Sequence, residues 1–237
     1  DAAVDGGNIA EIVDSCNEKY TCTEAAGSNG TIGLIHRSCS GKYACRYAAG
    51  YHGNIGEIVD SCEGDGACRD AAVDGGDIAE ITDSCIGYEA CENVAEENGT
   101  IELIHRSCLG GDACSYAAGD YGSIAEIVDS CNTTSSCRAA ASGGGNIGSI
   151  QQSCLGYNAC RYAAGYHGNI GEIVDSCEGD GACRDAAVDG GNIAEIIDSC
   201  IGDDACGNAA EENGNIGLIH RSCIGEDACQ YAAGDYG

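Results

Sequence analysis

The sequence predicts a repeat solenoid: a parallel β-solenoid (β-helix) with about 23 residues per coil, stapled by disulfides. Three observations point there. Ten units follow one another at one fixed spacing without an insertion, each carries a C-x5-C pair, and opposite charges fall at one position in neighbouring units.

The units start at Gly7, Gly30, Gly53, Gly76, Gly99, Gly122, Gly145, Gly168, Gly191 and Gly214. Each reads approximately G-[NTSD]-I-x-x-I-x-x-S-C-x-G-x-x-A-C-x-x-A-A-x-x-x, and the two isoleucines, the serine and both cysteines occur in every one. A second period lies above the first. Residues 44–76 recur unchanged at 159–191, a displacement of five units. Units one and six depart most, with Asn17-Glu18-Lys19-Tyr20-Thr21 and Asn132-Thr133-Thr134-Ser135-Ser136 in place of the usual glycine-containing turn. Residues 1–237 are therefore read as one continuous solenoid with no linker. Solenoids usually end in divergent capping repeats, and none is visible, so the expectation is a segment of a longer array.

Composition limits the kind of core. The 237 residues include 38 Gly and 20 Cys but no Pro, Met, Trp or Phe, which favours a narrow repeated interior of Ile, Val, Ala and Cys. A formal net charge of -29 makes the surface repel nucleic acid and anionic membranes. No apolar run approaches the roughly 20 residues that span a bilayer. Residues 1–6 lack the basic start and apolar middle of a signal peptide.

Two architectures fit the period. Ile9, Ile12, Val13 and Cys16 follow i, i+3, i+4, i+7, one face of a helix. Asn8 and Glu11 would form a capping box, Gly41 a C-cap, and Ala44, Cys45, Ala48 and Ala49 the inner face of a second helix. The alternative is thus an α-solenoid of short disulfide-linked helix hairpins. Length argues against it, because helical repeats run about 33 to 47 residues. The shorter unit found here suits a β-coil, expected as three short strands and three corners.

The charged column supports close stacking. Asp14, Arg37, Asp60, Asp83, Arg106, Asp129, Asp198 and Arg221 share one outward position with Gln152 and Asp175, and each Arg has an Asp in an adjacent unit. Strands stacked about 4.7–4.9 Å apart allow an inter-repeat ion-pair ladder. Three residues earlier, the units carrying Arg have Leu34, Leu103 and Leu218 where most others have Glu.

The cysteine pairs are Cys16/Cys22, Cys39/Cys45, Cys62/Cys68, Cys85/Cys91, Cys108/Cys114, Cys131/Cys137, Cys154/Cys160, Cys177/Cys183, Cys200/Cys206 and Cys223/Cys229. Bridging within each repeat is the simplest pairing, although spacing alone leaves bridges between neighbours open. Structural zinc prefers closer pairs and a recurring fourth ligand, and a redox pair would stand alone rather than in ten copies. So many disulfides imply an oxidising compartment, and hence an extracellular or cell-surface location.

Further residues bear on function. His36, His105 and His220 share a position but never in adjacent units, and read as surface residues. Tyrosines gather at two outward positions, Tyr47, Tyr116, Tyr162 and Tyr231 at one and Tyr51 and Tyr166 at the other, which suits lateral contacts. Sequons at Asn29, Asn98 and Asn132 would permit N-glycosylation. The aligned carboxylates suit weak Ca²⁺ binding on the acidic surface, and no other cofactor is expected. Threonines form no ladder of the kind that binds ice. Catalysis is not expected and no catalytic residues are assigned, because no inserted loop breaks the period.

The motif Ser38-Cys39-Ser40-Gly41-Lys42-Tyr43-Ala44-Cys45 resembles that of long cysteine-rich tandem-repeat proteins inferred from algal genomes. The resemblance covers the whole array. It implies a secreted or surface protein, again a β-helix, and brings no activity. The function expected is a structural one: a stiff filament or surface fibre, self-assembling end to end or laterally. The alternative is an adhesion module presenting a repetitive acidic face to cations, glycans or mineral.

Overall fold

The structure is a computed structural model that describes residues 6–233. Ten strands, β1 (Asn8–Val13), β2 (Thr31–His36), β3 (Asn54–Val59), β4 (Ile78–Thr82), β5 (Thr100–His105), β6 (Ser123–Val128), β7 (Asn146–Gln151), β8 (Asn169–Val174), β9 (Asn192–Ile197) and β10 (Asn215–His220), form one parallel sheet in chain order. Every pairing joins residues 23 apart, as Ile32 with Ile55 and Ile35 with Ile58. One unit of sequence thus makes one coil of a parallel β-solenoid, and no helix occurs among the described residues.

The helix-like I-x-x-I spacing has a β explanation. In each strand the residue after the first isoleucine drops out of the ladder: Ile9 pairs with Ile32 and Glu11 with Leu34, but Ala10 and Gly33 are skipped. The strand bends there, so two successive side chains face outward and the isoleucines on either side both point in. This is the effect of a bulge, repeated in register. The skipped position is Gly or Ala in every unit except that of Glu102. A Cβ at Gly56 would press on the Gly33 carbonyl, so the backbones of adjacent coils nearly touch there.

The expected three strands per coil are not found. One side of each coil is a strand, and the rest is a chain of turns in which non-glycine residues repeatedly take left-handed φ. Tyr43, Cys45 and Tyr47 have φ of 55°, 58° and 55°. Each such residue costs about 1 kcal/mol or more. The gain is that their backbone groups point along the solenoid axis. Tyr43 N–H donates to Asp65 O (3.1 Å), Tyr47 N–H to Arg69 O (3.2 Å), and Cys45 N–H back to Thr21 O (2.9 Å). The turn sides are therefore hydrogen-bonded coil to coil much as a sheet is, without strand geometry. Their side chains must be small inside, hence the Ala-Ala pairs such as Ala48 and Ala49.

The interior contains the two isoleucines, the alanines and the half-cystines, nearly all inaccessible in the middle coils. A buried serine column closes the strand end. Ser107 Oγ donates to His105 O (2.8 Å), lies 3.2 Å from Ile81 O, and accepts the Ser84 N–H (3.1 Å), while Ser107 N–H donates to Ser130 Oγ. The same pattern runs from Ser15 to Ser222, which explains why the serine never varies. Ser107→Ala should cost about 1–3 kcal/mol, because it strands the Ser84 N–H in the core. The exposed Ser15→Ala should cost far less; chemical denaturation of the two variants measures the difference.

The opening glycine of each unit is fixed by close approach. A methyl at Gly122 would overlap the Ala118 carbonyl and lie 2.7 Å from the Gly99 oxygen, both backbone atoms that cannot swing aside. Gly122→Ala should lower the denaturation midpoint by the equivalent of about 3 kcal/mol, the upper part of the range for overpacking.

Candidate functional site: charged columns and tyrosine clefts

All twenty cysteines are paired, each with its partner six residues along the chain. The bridges are Cys16–Cys22, Cys39–Cys45, Cys62–Cys68, Cys85–Cys91, Cys108–Cys114, Cys131–Cys137, Cys154–Cys160, Cys177–Cys183, Cys200–Cys206 and Cys223–Cys229, with Cα separations of 5.5–5.7 Å. Each bridge therefore lies within one repeat and none links neighbours, which resolves the choice that spacing left open.

The second half-cystine of each pair does more than the sequence reading assigned to it. Cys91, Cys160, Cys183 and Cys206 are fully buried and take left-handed φ of 56°, 55°, 54° and 57°. Their N–H groups donate to the preceding coil, to Ala67 O, Ser136 O, Ala159 O and Ala182 O in turn, at 2.9–3.0 Å. A residue read only as half of a staple is thus also a rung between coils, and the disulfide holds its unfavourable backbone in place.

Because the coils stack in register, so do the disulfides. Sulfurs of Cys39, Cys45 and Cys68 lie within 4.8 Å of one another, as do those of Cys16, Cys22 and Cys45, and of Cys108, Cys131 and Cys137. These are the only clusters of metal-capable groups found among the described residues, and all their sulfurs are held in disulfides.

The outward ladder residues all occupy a left-handed position that ends the strand. Arg37 bonds Asp14 in the coil before it (2.7 Å), Arg106 bonds Asp83, and Arg221 bonds Asp198 (2.6 Å). Asp60 and Asp129 are reached instead by histidine, His36 Nε2 at 3.5 Å and His105 Nε2 at 3.7 Å, each from the preceding coil. The His-Arg dipeptide thus spans both neighbours, backward with Arg and forward with His. Reading His36 and His105 as bystanders missed this. The signal was their fixed place before Arg in every unit that carries Arg at the ladder position. The three Arg–Asp pairs are largely exposed and each contributes about 0–1 kcal/mol, so they favour register more than stability.

A second charged network was not anticipated. Asp70, almost wholly buried, accepts from Arg46 Nε (3.0 Å) and Asn93 Nδ2 (3.1 Å), and Arg69 lies 3.8 Å away. Arg69 also meets Glu89 (2.9 Å) and Glu92 (3.1 Å). Five units on, Asp185 is held the same way by Arg161 and Asn208. Burial, opposed in part by Arg69, pushes the Glu92 carboxyl up. Burial and the Asp70 carboxylate raise the Tyr47 phenol. Arg46 and Asp70 stand one position off the repeat period, so a search confined to single columns passes over them.

Glu96 is the most perturbed carboxyl. Burial, then the charges of Asp70, Glu97, Asp74 and Asp120, raise it from 4.5 to about 6. Between these values the folded chain keeps a proton that the unfolded chain has lost. Stability therefore falls as pH rises through this window, and the cost is complete above about pH 6. The shift converts to about 2 kcal/mol, reduced to about 1 kcal/mol by solvent screening of a half-exposed group. Glu96→Gln should raise stability by that amount at pH 7 and leave it unchanged at pH 4, as denaturant midpoints at the two values would show.

Tyrosines line two clefts on the turn side. One is bounded by Glu24, Ser28, Tyr47 and Tyr51, with the two rings stacked at 6.5 Å. The other, of about 490 Å³, lies around Ala139 and has Tyr116, Tyr162 and Tyr166 on its walls. Of the sequons, Asn29 and Asn98 are exposed with left-handed φ, while Asn132 is half-buried and accepts the Leu155 N–H at 3.3 Å. No helix among the described residues is long and apolar enough to cross a membrane.

Fold and surface together define the class: a disulfide-rich tandem-repeat β-solenoid whose regularity fits a structural or extracellular role. No protein-family model, curated protein or solved structure matches this chain.

Proposed function

We propose that the protein is an extracellular structural element, forming or contributing to a stiff filament or surface fibre with the solenoid axis along the fibre. The observation that carries this reading is the unbroken axial column. Every coil is joined to the next by strand pairing, by the buried serine chain and by turn-side hydrogen bonds, and is closed by its own disulfide. Such a stack resists bending and local opening, because each unit unfolds only by breaking both interfaces. The ten disulfides suit an oxidising compartment outside the cell.

Assembly end to end extends the same stacking, and lateral association brings acidic faces together. The net charge of -29 makes lateral bundling depend on cations, and Ca²⁺ on the aligned carboxylates is the candidate. No catalytic role is proposed, since the array contains no break in which a reacting group stands apart.

Electron microscopy and fibre diffraction of the purified protein test this reading. Straight rods with an axial repeat of about 4.8 Å are expected, thickening with calcium and separating on chelation. Isolated short particles at every concentration would overturn the filament, and bundling indifferent to chelator would remove the calcium.

A further inference from the structure

We propose that the cleft around Ala139 is a binding site for a neutral pyranose residue of a glycan, held between the rings of Tyr116 and Tyr162. This is independent of filament growth, since the cleft lies within one chain.

Where tyrosines occupy one position in successive coils they stack directly, as Tyr20 and Tyr43 do with centroids 5.6 Å apart. Tyr116, Ala139 and Tyr162 also share one position in three successive coils, but the middle one is alanine. Two coil spacings of about 4.8 Å put the outer tyrosines roughly 10 Å apart, with only the small Ala139 side chain between them. A sugar ring fills that gap, its C–H faces against the aromatic faces. Arg161, tied to Asp185 of the following coil, lies over Tyr162 at 4.7 Å and steadies that wall. At the floor, Gly143 stands where Tyr51 and Tyr166 stand in their own coils, and the Asp120 carboxylate lies against it in place of a ring.

Polar groups at the rim suit hydroxyls. Asp120 lines the cleft and accepts from Ser142 Oγ (3.1 Å), keeping further acceptor capacity. Arg138 is exposed beside it. Of the ten lysines and arginines, the other nine each meet a carboxylate or a tyrosine ring; Arg138 alone meets neither among the described residues. In a chain with 39 acidic residues, an arginine without a partner at the mouth of an aromatic slot is a donor available to a ligand. Aromatic walls with a few convergent polar groups are the usual make-up of a small-ligand site, and about 490 Å³ is within its usual size. A neutral ligand is specified because the surrounding field repels anions.

The first unit supplies a natural control. It carries Glu24 at the position of Ala139, and that glutamate also has left-handed φ. Ala139→Glu therefore places a carboxylate in the slot and narrows it, with a residue the coil already tolerates beside Tyr47.

Titration calorimetry and NMR with neutral hexasaccharides of glucose, mannose, xylose and N-acetylglucosamine, and with polygalacturonate as the anionic comparison, test the site. Saturable binding of at least one is expected, insensitive to salt, with one site per chain. Tyr116→Ala and Ala139→Glu should each weaken it tenfold or more, with unchanged circular dichroism. Absence of binding across the panel, binding that survives both variants, or binding restricted to an anionic polysaccharide and lost in salt would overturn the proposal.

Discussion

Full reduction of the ten disulfides is expected to lower the stability of the solenoid by about 2 kcal/mol per coil. Each bond closes a loop of six residue steps, a short loop, so the chain-entropy gain is at the low end of the usual range. The total effect is nevertheless large because it recurs in every coil. The stapled cysteines sit beside alanines in an interior with little apolar area per residue, so few other contacts replace them. A single central lesion should already show. Replacing Cys108 and Cys114 by alanine should cost about 2 kcal/mol and let the array open from the middle. The same change at Cys16 and Cys22, partly exposed in the first coil, should only increase fraying. Denaturation with and without reductant, and hydrogen exchange on the two double variants, would measure this. Unchanged midpoints after complete reduction would contradict it.

Ile104→Ala should be the most damaging single truncation, at about 2–5 kcal/mol. Ile104 is inaccessible to solvent and pairs in register with Ile81 and Ile127, so its removal leaves a void beneath two neighbouring coils. The backbone cannot close that void, because adjacent coils are fixed by the sheet and by the Ser107 hydroxyl, which lies 3.2 Å from the carbonyl of Ile81. Ile219→Ala, at a site 43% exposed in the last strand, should cost well under half as much. The ratio between the two tests whether stability is carried by coil-to-coil packing or within each unit. Equal losses would favour self-sufficient units and weaken the case for a rigid rod.

The residues differ in how openly they announced their roles. The Arg37–Asp14 and Arg106–Asp83 contacts could be read from the period, because stacking in register brings position onto position. The roles of His36, which needs a forward reach to Asp60, and of Arg46, which crosses to Asp70 one column over, could not. Long side chains link columns diagonally, and the direction depends on backbone geometry that periodicity does not reveal. The cleft around Ala139 was hidden for a different reason: it is made by what is absent, a large side chain between Tyr116 and Tyr162.

By itself, the sequence determined the length of the unit, the in-register stacking, and the interior of Ile, Ala and Cys, since copies at a constant period without insertions bring each position onto its equivalent. Only the tertiary structure decided that one side of each coil is a strand and the remainder left-handed turns. No isolated segment would choose φ of 55°, 58° and 55° at Tyr43, Cys45 and Tyr47. That conformation is unfavourable locally, and becomes the stable one when a neighbouring coil offers a carbonyl to each N–H that it turns along the axis.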